Sequence, residues 1–435
     1  ALRRGDAGAA NVILEQLRVC ESVVVLEVEL AWIGTLCGLG EMEKLSRYAV
    51  RASSPVTRAA ALTRLGQWAE AARLVTRAEP GLMTEIAAQV SAVVGPYRAD
   101  GQSPTATTVA ERDRQLRRLD TLLLAGDLPG AENWLRAQRM DAAVLPDPQR
   151  ALLEWRRGGG HGIVEGVPAG DGHVAGTLLI RAAAELTLAR GLPVRARAML
   201  AGTTGLTAQL SAVVAADIAA VLDSPSAAEA VLTAAAEHAG LTGMTIATDE
   251  IWLKLTEFAW EREDATEVQV RATRTVEAAR AAGTALSPLH ECVAAAVLGG
   301  NAHRAISLAR AQGQPRVLAG TLERLAVWRA CSPGQLAEAY VLFGDLGAAL
   351  DRARVRARMR QLGVTVPNRS ATQAENDQLL AALVSEGLSN HQLAAAFYTT
   401  PKSVESRLGR LMSRTGYRSR AALAVAVSPG QELAE

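Results

Sequence analysis

From its first residues to about Gln361 the chain places apolar side chains three or four positions apart, as at Leu14 and Leu17 and again at Leu322, Leu325 and Trp328. Side chains at that spacing share one face of a helix. Alanine fills many of the positions between, and its high helix propensity and small volume let neighbouring helices approach closely. A sheet would call for longer runs of valine, isoleucine and threonine with period two. Only "ESVVVLEVEL", residues 21–30, competes, and its flanks keep the helical spacing, so it too reads as helix. The pattern predicts an all-α chain. The longest apolar runs are broken by Arg, Glu, Asp or Gln before the roughly 20 residues that a bilayer requires, so no membrane span is expected.

A glycine with a polar or aromatic neighbour recurs between the predicted helices, at Gly5-Asp6, Gly66-Gln67-Trp68, Gly126-Asp127, Gly300-Asn301 and Gly344-Asp345. Glycine tolerates the positive φ of a helix end, which suits turns between stacked helix pairs. The spacing is uneven: 61 residues separate Gly5 from Gly66, 60 separate Gly66 from Gly126, and 44 separate Gly300 from Gly344. The pattern resembles a degenerate tetratricopeptide-like array, whose ordinary unit is about 34 residues, and implies a helical-repeat superhelix. An irregular multi-helix bundle is the competing architecture.

The clearest break is the stretch from Arg157 to His173, which holds seven glycines. It reads as a connection between two halves of the array, 1–157 and 175–361, with 158–174 as the link. It lacks the lysine followed by serine or threonine that a phosphate-binding loop needs, and no strand pattern precedes it. His161 and His173 have no cysteine or acidic partner at ligand spacing, and the four cysteines, Cys20, Cys37, Cys292 and Cys331, have none either. No metal and no cofactor are therefore expected. No signal-peptide pattern precedes the cysteines, which suits unpaired thiols in a cytoplasmic setting. Carboxylates and histidines are scattered without a site-like cluster, which argues against an enzyme.

All seven tryptophans lie before residue 361. Most are expected between helices as core. Trp252 and Trp260, eight apart with Glu257, Glu261 and Arg262 nearby, form the pair expected to touch a ligand on a concave helical surface. Arg352, Arg354, Arg356, Arg358 and Arg360 then alternate, as a salt-bridged helix or as electrostatic support for whatever follows. Residues 362–372 read as a linker to a C-terminal domain spanning 373–430.

Within that domain Ser389 can cap a helix in "NHQLAAAF", and Gln392 completes a capping box. "YTT" allows only a tight turn. Thr400 suits an N-cap and Pro401 the first helical position, after which Val404, Leu408 and Leu411 form an apolar stripe. Two capped helices so joined form a helix-turn-helix, whose second helix fits the DNA major groove. Formal net charge is only +1, yet from Pro401 to Arg420 Lys402, Arg407, Arg410, Arg414, Arg418 and Arg420 face the single acid Glu405. The basic charge is local, as nucleic-acid binding requires.

The stretch "EGLSNHQLAAAFYTTPKSVESRLGRLMSRTGYRSRAALA" resembles the C-terminal DNA-binding domain of bacterial LuxR-type (GerE-type) transcription regulators, over about Gln373 to Val427. The family's glycine-leucine-serine-asparagine turn falls on Gly387 to Asn390, its serine-proline-lysine-threonine-valine segment on Thr400 to Val404, and its closing glycine-x-arginine-serine-arginine on Gly416, Arg418, Ser419 and Arg420. Three features depart: the opening Gln373, Ala374, Glu375, Asn376 and Asp377; Arg407, where histidine is common; and Thr415, where a core leucine is usual. The resemblance implies a small four-helix domain that binds double-stranded DNA as a homodimer. Lys402, Ser403, Ser406 and Arg407 would face base edges or nearby phosphates, Arg410 and Arg414 the backbone, with Asn390 also at the DNA side, and Leu423 and Val427 at the dimer contact. A helical array before such a domain also resembles the large maltotriose-activated type of regulator, without its NTPase domain; the chain reads as a piece of a longer protein or as a relative that never had one.

Together these features lead to the expectation of a cytoplasmic transcription regulator. Its array would sense a small-molecule or protein inducer and control the C-terminal domain. A protein-interaction scaffold with an incidental basic tail is the alternative.

Overall fold

The computed structural model of the chain describes residues 41–52, 54–75, 109–160, 174–366 and 369–426, together with Glu29, Trp32, Ile33 and Leu36. Every regular element among them is helical, so the fold is all-α. The described part opens with α1 (Met42–Arg51), α2 (Pro55–Arg64) and α3 (Trp68–Val75), followed by α4 (Val109–Leu124), α5 (Leu128–Ala137) and α6 (Asp147–Arg156). Next come α7 (Val174–Ala189), α8 (Pro193–Leu200), α9 (Gly205–Leu222), α10 (Pro225–Thr242), α11 (Thr248–Glu261) and α12 (Ala265–Ala282). The series continues through α13 (Ser287–Val297), α14 (Ala302–Ala311), α15 (Pro315–Val327), α16 (Gln335–Asp345) and α17 (Ala349–Gln361). The last helices are α18 (Arg369–Ser385), α19 (Asn390–Ala396), α20 (Pro401–Thr415) and α21 (Arg420–Ala426). Of "ESVVVLEVEL" only Glu29 is described, and His161 and His173 also lie outside the described residues.

From α7 to α17 each helix packs on the next, and α7, α9, α11, α13 and α15 also touch one another in sequence. The odd-numbered helices thus form one layer, with the others alternating beside it. The series curls until α17 touches α7, and Arg316 of α15 pairs with Glu185 of α7 at 2.9 Å. Leu322, Leu325, Leu336 and Met359 are fully buried along this path, each contributing about 1.5–3 kcal/mol of burial. Among the described residues Gly205–Leu222 is the one helix long and apolar enough to cross a membrane. Here it is a central helix of the series, and its Asp217 bonds Lys254 of α11 at 2.9 Å.

The glycine turns do more than end helices. Gly66 has φ +77°, and a Cβ there would stand 2.6 Å from Cβ of Ile246; Thr245 N donates to the Leu65 carbonyl at 3.0 Å. A side chain at that turn would separate α2 from the α10–α11 connection. At two other places the turn lies beside the glycine expected: Gly299 has φ +93° rather than Gly300, and Gly344 sits inside α16 against the Arg352 guanidinium. Gly347, with φ +63°, makes the α16–α17 turn. Asp127 and Asn301 cap the following helices through the amides of Gly130 (2.8 Å) and Arg304 (3.2 Å).

The C-terminal helices do not stand apart from the series. Ala184, Leu188, Ile218, Leu222 and Ala353 share one continuous core with Leu379, Leu383, Leu393, Phe397, Val404 and Leu423. Residues 362–366 are no loose tether, since Val364 and Val366 pack against the α11–α17 core, and α18 begins at Arg369, ahead of the expected boundary.

Candidate functional site

The first candidate surface is α19–α20. Ser389 Oγ accepts from Gln392 N at 3.3 Å while Gln392 Oε1 accepts from Ser389 N at 2.8 Å, so two otherwise orphaned amides are satisfied. Tyr398, in the four-residue turn, takes φ +50°, a conformation uncommon for a residue with a side chain. Thr400 Oγ1 then accepts from Ser403 N at 3.3 Å and Pro401 starts α20, which closes on Gly416 with φ +75°. Val404, Leu408 and Leu411 are buried, which turns the opposite face outward.

On that outward side Lys402, Ser406, Arg410 and Arg414 are exposed, and Ser403 and Arg407 half-buried. The Arg407 guanidinium lies 5.7 Å from the Phe397 ring centroid. Burial, reinforced by the charges of Arg360, Arg356 and Arg410, lowers its pKa from the ordinary arginine value. Arg414 pairs with Asp377 of α18, and Asn390 accepts from Arg420 Nη1 at 2.9 Å, so Asn390 ties α19 to α21. Leu423, which the resemblance put at a dimer contact, is instead fully buried, since its side chain faces the core it shares with α18. The exposed large apolar residue of α21 is Val425, 76% exposed; Val427 lies outside the described residues.

The arginine run of α17 joins this unit to the series. Arg352 and Arg356 bond Glu375 at 2.8 and 3.4 Å, and Arg356 also bonds Asn376. Glu375, Asn376 and Asp377, on α18, all hold ion pairs or hydrogen bonds. Arg358 pairs with Glu261 and stands 5.3 Å from the Tyr398 ring. Farther along, Gln392 Nε2 donates to the carbonyl of Leu222, the last residue of α9, at 2.6 Å, and Arg195 Nε meets Glu386 at 3.1 Å.

The second candidate is a half-open cavity of about 1550 Å³ lined by the series, with His391, Tyr398, Thr399 and Pro401 on its wall. Two groups of ion pairs line it. Lys254 meets Asp217 (2.9 Å) and Glu257 (2.8 Å); Arg324 also meets Glu257; Arg354 meets Glu323 (2.8 Å) and Asp351 (2.8 Å); Arg316 meets Asp351 (3.0 Å). Burial alone would raise the Glu257 pKa, but Arg324 and Lys254 outweigh it and hold the group at about 2. Asp351 is likewise lowered against burial by Arg354 and Arg316. Beside the cavity Asp249, an acceptor once ionised, takes hydrogen bonds from His290 Nδ1 at 2.8 Å and Ser287 Oγ at 3.2 Å.

Trp260 lies on the cavity wall with its ring 6.5 Å from that of Trp328. Trp252 does not join it: it packs against the small cluster built around Ala212, Ala216 and Leu255. Eight residues turn a helix about 80° beyond two full turns, enough to move the second indole to a different face. Of the acids near the pair Glu257 and Glu261 line the cavity, while Arg262 pairs with Glu229 elsewhere. Sequence reading missed Trp155, Arg156 and Arg181, which line the cavity from α6 and α7. No spacing signal marks residues drawn from separate helices. Neither a known protein-family model nor a curated protein matches the chain.

Proposed function

We propose that the chain is a DNA-binding transcription regulator of LuxR type. A helical-repeat array lines a ligand cavity and controls a C-terminal helix-turn-helix that binds double-stranded DNA as a homodimer in the cytoplasm. The carrying observation is the pair α19–α20: two capped helices, a four-residue turn, and Lys402, Ser406 and Arg410 exposed on the face opposite the buried Val404, Leu408 and Leu411. In this reading the first turns of α20 enter the major groove, and Arg407 reads guanine through its two-pronged guanidinium. The array acts as sensor because its cavity wall includes the turn and first residue of α20, so that a ligand there touches the DNA-binding unit directly. The reading assigns no reaction to the chain.

The test is a comparison of the wild type with Lys402→Ala/Arg407→Ala on a selected duplex and a scrambled one. Each lost base contact is worth about 1–3 kcal/mol, so the double variant should lose most of its selectivity with an unchanged circular dichroism spectrum. Selectivity that survives the double substitution removes α20 from the groove.

A further inference from the structure

Arg181, Lys254, Arg316, Arg324, Arg354 and Arg358 on the cavity wall each have a carboxylate within ion-pair distance. Arg156 does not. It is only 8% exposed, and its guanidinium donates to neutral oxygens alone, the Leu123 carbonyl at 2.9 Å and Gln314 Oε1 at 3.2 Å. Its Nε and that of Arg181 are buried without a hydrogen-bond partner. Both guanidiniums sit over one indole, 4.3 Å and 6.0 Å from the Trp155 ring centroid. Gln314, which orients Arg156, is itself fixed by donating to the Gly126 carbonyl at 2.6 Å, so the fork is held from two sides. A buried charge without a counter-charge is costly and is ordinarily relieved by pairing. Burial and the neighbouring Arg181 lower the Arg156 pKa while the more distant carboxylates of Glu250 and Glu185, which pair with Arg181 and Arg316, raise it; the balance is about 10, so the group remains a cation at neutral pH.

We infer that the cavity takes an anionic ligand, a carboxylate or phosphate group bound at Arg156 beside Trp155, with the rest of the molecule lying along the cavity. The guanidinium matches either group through paired N–H donors, and the indole offers an apolar wall next to it. This deepens the sensor part of the proposed function and rests on it only for the consequence of binding; anion binding itself is measured without DNA.

The experiment is an intrinsic tryptophan fluorescence titration of the full chain with sodium phosphate and, separately, sodium succinate, at constant ionic strength set with sodium chloride. The wild type should respond saturably to at least one. Response to phosphate alone points to a phosphate ester, and response to succinate alone to a carboxylic acid. Arg156→Gln should bind at least tenfold more weakly, whereas Arg274→Gln, on an exposed stretch of α12, should match the wild type. Should Arg156→Gln not fold, Arg156→Lys carries the comparison, because a point charge without the fork should weaken binding severalfold. No saturable response of the folded wild type to either anion overturns the inference, as does an unchanged midpoint in the folded Arg156 variants. In either case Arg156 is a brace between Leu123 and Gln314, and the DNA reading is untouched.

Discussion

Glu257 shows how single residues hold the series closed. It lies on α11 between Lys254 and Arg324, with the latter reaching it from α15. Its folded pKa of about 2 lies below the ordinary 4.5, so its contribution is fully present above about pH 4.5 and lost as the pH falls toward 2. At about 1.4 kcal/mol per unit this is on the order of 3 kcal/mol. The urea midpoint of the wild type should therefore fall between about pH 5 and pH 3. Glu257→Gln should unfold at lower urea at pH 7, leaving Arg324 without its partner, and should lose less on acidification; equal midpoints at pH 7 would contradict the role given to this pair. At the start of α19 Ser389→Ala removes the acceptor that satisfies an orphaned amide, and should cost about 1 kcal/mol in thermal or urea unfolding. An unchanged stability would mean that the capping box contributes nothing to the fold.

Among elements, the seat of α18 on the α7–α8 turn is the contact most open to disruption. Gly191 has φ +84°, and a Cβ there would stand 2.5 Å from Cδ1 of Leu379. Gly191→Ala should combine backbone strain of about 1–3 kcal/mol with a displaced α18, read as faster hydrogen exchange in α18–α21 than in α11–α15. Uniform exchange across both groups would show that the last helices are not seated through this turn. Helices themselves were legible in the sequence, because a period of three to four with alanine between has one physical solution. The caps at Ser389 and Thr400 were legible for the same local reason, as side-chain acceptors a fixed three residues from the amide they satisfy, whereas Asp127 and Asn301 were read only as neighbours of turn glycines. What the sequence hid is long-range. Gly344 and Gly347 are three apart, and only packing against Arg352 decides that the first stays in the helix. Leu379, Leu380 and Leu383 bury more than one face of α18 because α18 meets the α7–α8 turn as well as α19 and α21, and a linear pattern does not say which neighbour covers which face. The basic run on α20 was visible, whereas Arg156 gave no signal, since only three dimensions reveal that no carboxylate lies within ion-pair distance of it.

At the scale of the whole chain, the series and its last helices form one body through a shared core, and the basic face of α20 points away from that core. The arginines of α17 are mostly spent on acids of α18, α15 and α11, so in the proposed reading the charge for DNA comes from α20 and its flanks. The central claim is that this face reads sequence. Phosphate contacts alone bind every duplex alike and weaken together with salt, so salt dependence does not test it. The decisive measurement is selection of genomic fragments by the purified chain, followed by titration of the best fragment against a scrambled duplex at about 150 mM salt, where surface charge is largely screened. The account predicts a preference of about a hundredfold or more, equivalent to about 2.7 kcal/mol, on a site with two-fold symmetry. Equal affinity for both duplexes would contradict it and favour a helical scaffold whose basic tail binds without reading.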